Sequence, residues 1–220
     1  MFRVRFFAPV YFYAQGRFNW KGSHYMKNQN QRLMRCVIVA VMAAVSTVIY
    51  LIFPEIPLVV GVDFLKLDFS DLPALAAAAS VGPIAGVLVE VLKNVLHLFQ
   101  STTLGIGELV NTIIGSEMCL SIALFSRWFA RLLHRPRMSG PVYYLSAVCT
   151  LVLTVLTGWL SNAVLMPVYF AVAGIPFTVQ TVMVGVWGST LLNVVKAALN
   201  LLPFYPLFVA MERAFCKIKG

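Results

Sequence analysis

Charge is scarce in this chain. Only 11% of its 220 residues are Asp, Glu, Lys or Arg, against about 25% in soluble domains. A shortage of that size excludes a surface that faces water over most of its area. Paired cysteines are also missing. Cys36, Cys119, Cys149 and Cys216 lie far apart with no CxxC spacing, and His24, His97 and His134 pair with none of them. That argues against a metal site or a disulfide framework, and reads the cysteines as small packing residues. No G-x-x-x-x-G-K-[ST] loop occurs, so ATP binding through a P-loop is excluded. Ser-His-Asp and H-E-x-x-H arrangements are absent too, and the fourteen glycines are too scattered to form a phosphate cradle.

What fills the chain is apolar. Hydrophobic residues make up 60%, and the mean hydropathy is +0.85. A spanning helix needs about 20 apolar residues, so a chain of this length holds about six with short loops. The fold class expected is an all-α membrane protein, a bundle of six transmembrane helices, with no room for an added soluble catalytic domain. The net charge of +9 is confined to three basic clusters. Arg3, Arg5, Arg17, Lys21, Lys27, Arg32 and Arg35 precede the first apolar span. Arg127, Arg131, Arg135 and Arg137 sit between spans, and Arg213, Lys217 and Lys219 close the chain. Clusters at span ends follow the positive-inside rule, which explains them better than a nucleic-acid site.

The chain divides into an extension, residues 1–33, and a membrane domain, residues 34–220. The extension has a basic start and a short aromatic-rich patch broken by Pro9, then a polar stretch. It reads as a loosely ordered cytoplasmic tail, or as the product of a start codon placed too early, with Met26 or Met34 as tidier beginnings. The spans expected are 34–53, about 71–80, 83–99, 108–133, 142–170 and 179–215. Pro54 and Pro57 end the first. Ser70 or Asp71 caps the second, with Pro73 in its first turn. Gly82-Pro83 separates the second from the third. Pro167 is a possible interruption of the fifth, and a break is expected in the sixth near Pro203 and Pro206. Six spans put both termini on one side, and with a cytoplasmic N-terminus all three basic clusters fall inside.

Ionisable groups inside a bilayer cost about 2.5–3.5 kcal/mol each on insertion scales, so they face a cavity or a partner. Glu90, Lys93, Glu117 and Lys196 fall within spans, with Asn162 and Asn193 as neutral polar companions. Asn193 and Lys196 stand at i, i+3 and share a helical face. An amide offers donors and an acceptor and an ammonium offers donors only. The pair therefore matches a planar ligand edge alternating carbonyls with an N–H, or else makes an interhelical hydrogen bond while the lysine snorkels to the interface. Glu90 and Lys93, one turn apart and of opposite sign, form an ion pair or contact ligand. Glu108 and Asn111 cap the fourth span or line a pocket mouth, and Glu55 is similarly placed at the outer end of the first. Asp63, Asp68 and Asp71 read as loop and cap residues. On the first span Ala40 and Ala44, with Ala43 and Thr47 beside them, let another helix approach closely, a pattern that also suits packing within the bundle.

FLKLDFSDLPAL followed by GPIAGVLVEVLKN, with GELVN and NVVK further on, resembles the riboflavin-specific substrate-binding subunit, or S component, of energy-coupling factor (ECF) transporters. The likeness covers about residues 34–215. It implies a six-helix, non-enzymatic plasma-membrane subunit with both termini cytoplasmic. Such a subunit captures riboflavin as transported ligand, needs no cofactor, and works with a transmembrane coupling protein and two ATPase subunits. It implies that Ala40 and Ala44 on the first helix dock onto the coupling protein, that the subunit topples to deliver its cargo, and that the 54–70 loop is a lid. It also implies that Asn193 and Lys196 hold the pyrimidine edge of the flavin ring, with Asn162 a further ring contact and Glu55 a looser match, in a site otherwise apolar and aromatic- or Met-lined. Three readings compete with it: an S component for another vitamin, an intramembrane enzyme using Glu90 and Lys93 as an acid–base pair, and an assembly scaffold presenting small-residue helix faces.

Overall fold

The computed structural model describes residues 24–52, 56–57, 66–67, 69–101, 103–136 and 139–218. Six α-helices account for nearly all of them: α1 His24–Ile52, α2 Asp71–Ser80, α3 Pro83–His97, α4 Ile106–Leu132, α5 Gly140–Val172 and α6 Val179–Ile218. A 3₁₀ turn, Leu98–Gln100, follows α3. Two short strands, β1 Ile56–Pro57 and β2 Lys66–Leu67, pair antiparallel, and β2 packs against α6.

The break between α2 and α3 falls where the sequence places it. Gly82 sits at φ +142, a conformation glycine alone adopts at little cost, and Pro83 occupies the first turn of α3, where its missing N–H is not needed. Close packing of the pair depends on small side chains. A Cβ at Gly86 would lie 2.8 Å from the Ala74 carbonyl oxygen, the Ala78 Cβ and the Cys119 Sγ, so α2, α3 and α4 meet at this glycine. Helix α2 is the hub, touching α1, α3, α4 and α6, and its fully buried Ala74 and Ala77 allow those approaches.

The number of helices matches the sequence reading; the number of full-length spans does not. Among the described residues, four helical segments are long and apolar enough to cross a bilayer: Arg32–Ile52, Ile106–Leu132, Gly140–Val172 and Val179–Val209. At 1.5 Å per residue, α2 is about 15 Å long and α3 about 22 Å, both short of the roughly 30 Å hydrocarbon core. They form a stunted hairpin set among longer neighbours. Two crossings or none leave the same parity, so the prediction that both termini share a side does not depend on how deeply this hairpin reaches.

Helix α1 includes residues 24–33 ahead of the span expected from Met34, while its apolar, bilayer-length part, Arg32–Ile52, agrees with that span; residues 1–23 lie outside the described residues. Helix α5 runs unbroken through Pro167, and α6 through both Pro203 and Pro206. The carbonyls these prolines leave without an intrahelical donor on α6 are those of Leu199 and Leu202, four residues earlier. The Tyr143 hydroxyl, on α5, donates to the adjacent Leu201 carbonyl at 2.7 Å and ties α5 to α6 in the turn just before Pro203.

Candidate functional site

Asp71, the first residue of α2, is completely buried. It was expected to cap the helix. The N-cap residue is instead Ser70, which makes no side-chain cap bond, and the Asp71 carboxylate reaches two lysines on other helices. Lys93 donates to its Oδ1 at 2.6 Å, and Lys196 lies 3.2 Å from its Oδ2. Lys93 also pairs with Glu90 at 2.6 Å on its own helix. Two carboxylates and two ammoniums thus form a formally neutral quartet spanning α2, α3 and α6, and Glu90, Lys93 and Lys196 are all buried. Enclosed charges persist only when paired. Of the two roles open to Glu90 and Lys93, the ion pair is the one seen.

Amides extend the quartet. Lys196 donates to Asn111 Oδ1 at 2.5 Å, Asn111 Nδ2 donates to Asn94 Oδ1 at 2.9 Å, and Asn94 Nδ2 donates to the Glu90 carbonyl at 2.9 Å. Asn111, read as a possible mouth residue, is a link between α3, α4 and α6. Toward the start of α4 the Glu108 carboxylate accepts from Ser101 at 2.8 Å and Thr103 at 3.1 Å, and lies 2.9 Å from His97 Nδ1. His97 stacks on Tyr50 with ring centroids 3.8 Å apart, and the Lys93 ammonium lies 5.6 Å from that same Tyr50 ring. Glu108 therefore fastens the turn before α4 to α3 rather than simply capping its helix.

On α6 the buried residues Ser189, Asn193, Lys196 and Asn200 fall at intervals of four, three and four, which is one helical stripe turned inward. Asn193 and Lys196 do share a buried face, and lipid is not their surrounding. Asn200, one turn beyond, donates to the Lys196 carbonyl at 3.1 Å; the same periodicity that singled out the first two would have found it. Asn193 differs from its neighbours, because its Nδ2 is buried without a hydrogen-bond partner among the described residues. It lies against Gly158 on α5, and a Cβ added there would overlap Asn193 Nδ2 outright. Asn162, half-buried, donates to the Gly158 carbonyl at 2.8 Å. Gly158 thus brings Asn162 and Asn193 to one neighbourhood. One turn further along α5, Met166 packs over Gly185 of α6.

Elsewhere, Ala40 and Ala44 lie on the exposed face of α1 between Val37, Val41, Val45 and Val48, whereas Ala43 and Thr47 turn inward. Glu55 and most of the 54–70 loop fall outside the described residues. Glu117 accepts from Thr154 at 2.8 Å, an α4–α5 link apart from the quartet. Among the described residues no group of three or more His, Cys, Asp or Glu could hold a metal ion.

A six-helix bundle with this arrangement has known counterparts. A solved structure titled "Structure and mechanism of the S component of a bacterial ECF transporter" superposes with a TM-score of 0.68, covering 84% of this chain and 98% of that one at 21% identity, which establishes the shared fold. Curated relatives include the riboflavin transporter FmnP of Bacillus subtilis (36% identity, 42% of this chain, 49% of that protein) and the riboflavin transporter RibU of Staphylococcus aureus (34%, 42% and 47%). In both, the match spans about half the relative's length. RibU of Lactococcus lactis matches at 28% identity across 80% of this chain and 82% of its own. The family described as "ECF transporter, substrate-specific component" matches residues 34–208, most of the chain, and to that family of multi-pass membrane transport subunits this protein belongs.

Proposed function

We propose that this chain is the riboflavin-binding subunit of an ECF transporter, taking up the vitamin together with a transmembrane coupling protein and two ATPase subunits. Relatives named as riboflavin transporters support the substrate. The observation on which the reading rests is the Asn193 amide: an open donor, nine-tenths enclosed, one turn from an ammonium and facing an α5 glycine. An unsatisfied buried donor costs about 1–3 kcal/mol, a cost a bound ligand would remove. The pyrimidine edge of an isoalloxazine ring presents two carbonyls around an N–H. Asn193 supplies a donor and an acceptor to that edge, Lys196 supplies a further donor, and Asn162 completes the α5 side.

The β1–β2 ribbon against α6 is consistent with the loop it bounds acting as a lid. The exposed Ala40–Ala44 face of α1 suits docking to the coupling protein, and the basic clusters suit a cytoplasmic placement of both termini. Flavin fluorescence quenching with purified protein tests the reading. Asn193→Ala and Lys196→Ala should each weaken riboflavin binding by about 1–3 kcal/mol; unchanged affinity in both removes them from the site, and no quenching by the unaltered protein removes riboflavin. Bulky residues at Ala40 and Ala44 should spare binding and abolish uptake, and uptake that survives them places docking elsewhere.

A further inference from the structure

We infer that Asp71 is a positioning residue for the flavin site, acting through Lys196. The inference deepens the reading above and rests on it. The four charges of the quartet do not divide evenly. Lys93 has Glu90 one turn away on its own helix at 2.6 Å, so it keeps a carboxylate whatever happens on α2. Lys196 has no acidic residue within several turns on α6, where the nearest is Glu212. Among the described residues the carboxylate paired with it is that of Asp71, from a different helix.

Geometry adds to charge. A lysine has four side-chain torsions, and its head group is located by what it bonds. Asn111 Oδ1 accepts one Lys196 N–H at 2.5 Å from the α4 side, and Asp71 Oδ2 draws the ammonium by charge at 3.2 Å from the α2 side. Holding the head group from two helices is preorganisation, which raises affinity without any new ligand contact. Asp71 is itself held in place. It opens its helix, its other oxygen is bound by Lys93, and the carbonyl of the preceding Ser70 accepts a hydrogen bond from Ser46 of α1. The residue that aims Lys196 is therefore also the first one after the loop that carries the β1–β2 ribbon.

The test is a double-mutant cycle on the full chain in detergent, read by riboflavin titration and by thermal unfolding without ligand. Asp71→Asn should weaken riboflavin binding by at least about tenfold. Lys196→Met should weaken it as well, and Asp71→Asn combined with Lys196→Met should bind no worse than Lys196→Met alone, since there is then no ammonium to aim. A merely structural Asp71 would instead add its loss to that of Lys196→Met. Additive losses, or wild-type affinity in Asp71→Asn, overturn the inference. If Asp71→Asn does not fold, the double variant, which buries no lone charge, decides: affinity equal to that of Lys196→Met supports the inference and weaker affinity overturns it. Wild-type affinity in Lys196→Met overturns the proposed flavin contact itself, a different failure.

Discussion

The α2–α3 hairpin and the α5–α6 hairpin bury polarity in opposite ways. The first is short, about 15 and 22 Å of helix, and supplies three of the four charges of the quartet, each matched within 3.2 Å by an opposite charge. The second is long and apolar enough to cross fully, and sets neutral amides beside Gly158, one of which keeps an open donor among the described residues. A paired charge is committed, because breaking it exposes its partner to an apolar surround. An unmatched amide costs less to keep waiting. On the reading proposed above, the charges of the first hairpin brace and aim, while the amides of the second read the ligand.

That contrast is most easily broken at Lys93. Lys93→Met leaves Asp71 and Glu90 enclosed with one ammonium between them, and stability should fall by about 3–5 kcal/mol, seen as a large drop in the thermal unfolding midpoint. A variant as stable as the parent would show that the quartet is not a brace. A smaller effect of the opposite kind is expected on the other side. Gly158→Ala puts a methyl where Asn193 Nδ2 sits. Displacing that amide should cost about 1–3 kcal/mol, appearing chiefly as lost riboflavin affinity. If Gly158→Ala lowers stability and leaves affinity intact, the amide is a packing element and not a reader. The smallest change belongs to Glu117→Gln. It retains an acceptor for Thr154, and hydrogen bonds between membrane helices average about 0.6 kcal/mol. Stability should shift by less than about 1 kcal/mol, with no change in flavin titration; a loss of binding would extend the site along α4.

Much of this was legible in the residues. The Gly82-Pro83 break, the helix count and the inward stripe through Asn193 and Lys196 all follow from local rules of turn chemistry and helical period. What escaped depends on distant partners. Asp71 looks like a cap because caps are read from neighbours in sequence, and its lysines stand 22 and 125 positions away. Pro203 and Pro206 look like breaks because the rule knows only the missing N–H and not the packing of α6 against α5, where Tyr143 bonds the Leu201 carbonyl across 58 positions. The short reach of α2 and α3 was hidden by an apolar stretch continuing on both sides of the turn, which fits a deep span and a buried stub equally well. Glu55 and the loop around it lie outside the described residues.

The hydrogen bond from Ser46 to the Ser70 carbonyl has a mechanical consequence. Ser46 is rooted on the inner side of the same rod whose outer side bears Ala40 and Ala44. A tilt or slide of that rod would pull on the residue before Asp71, whose carboxylate is paired with Lys196. On the proposed reading, a push at the protein's rim would be geared to the tightness of the vitamin's seat, through one hydroxyl and one carboxylate.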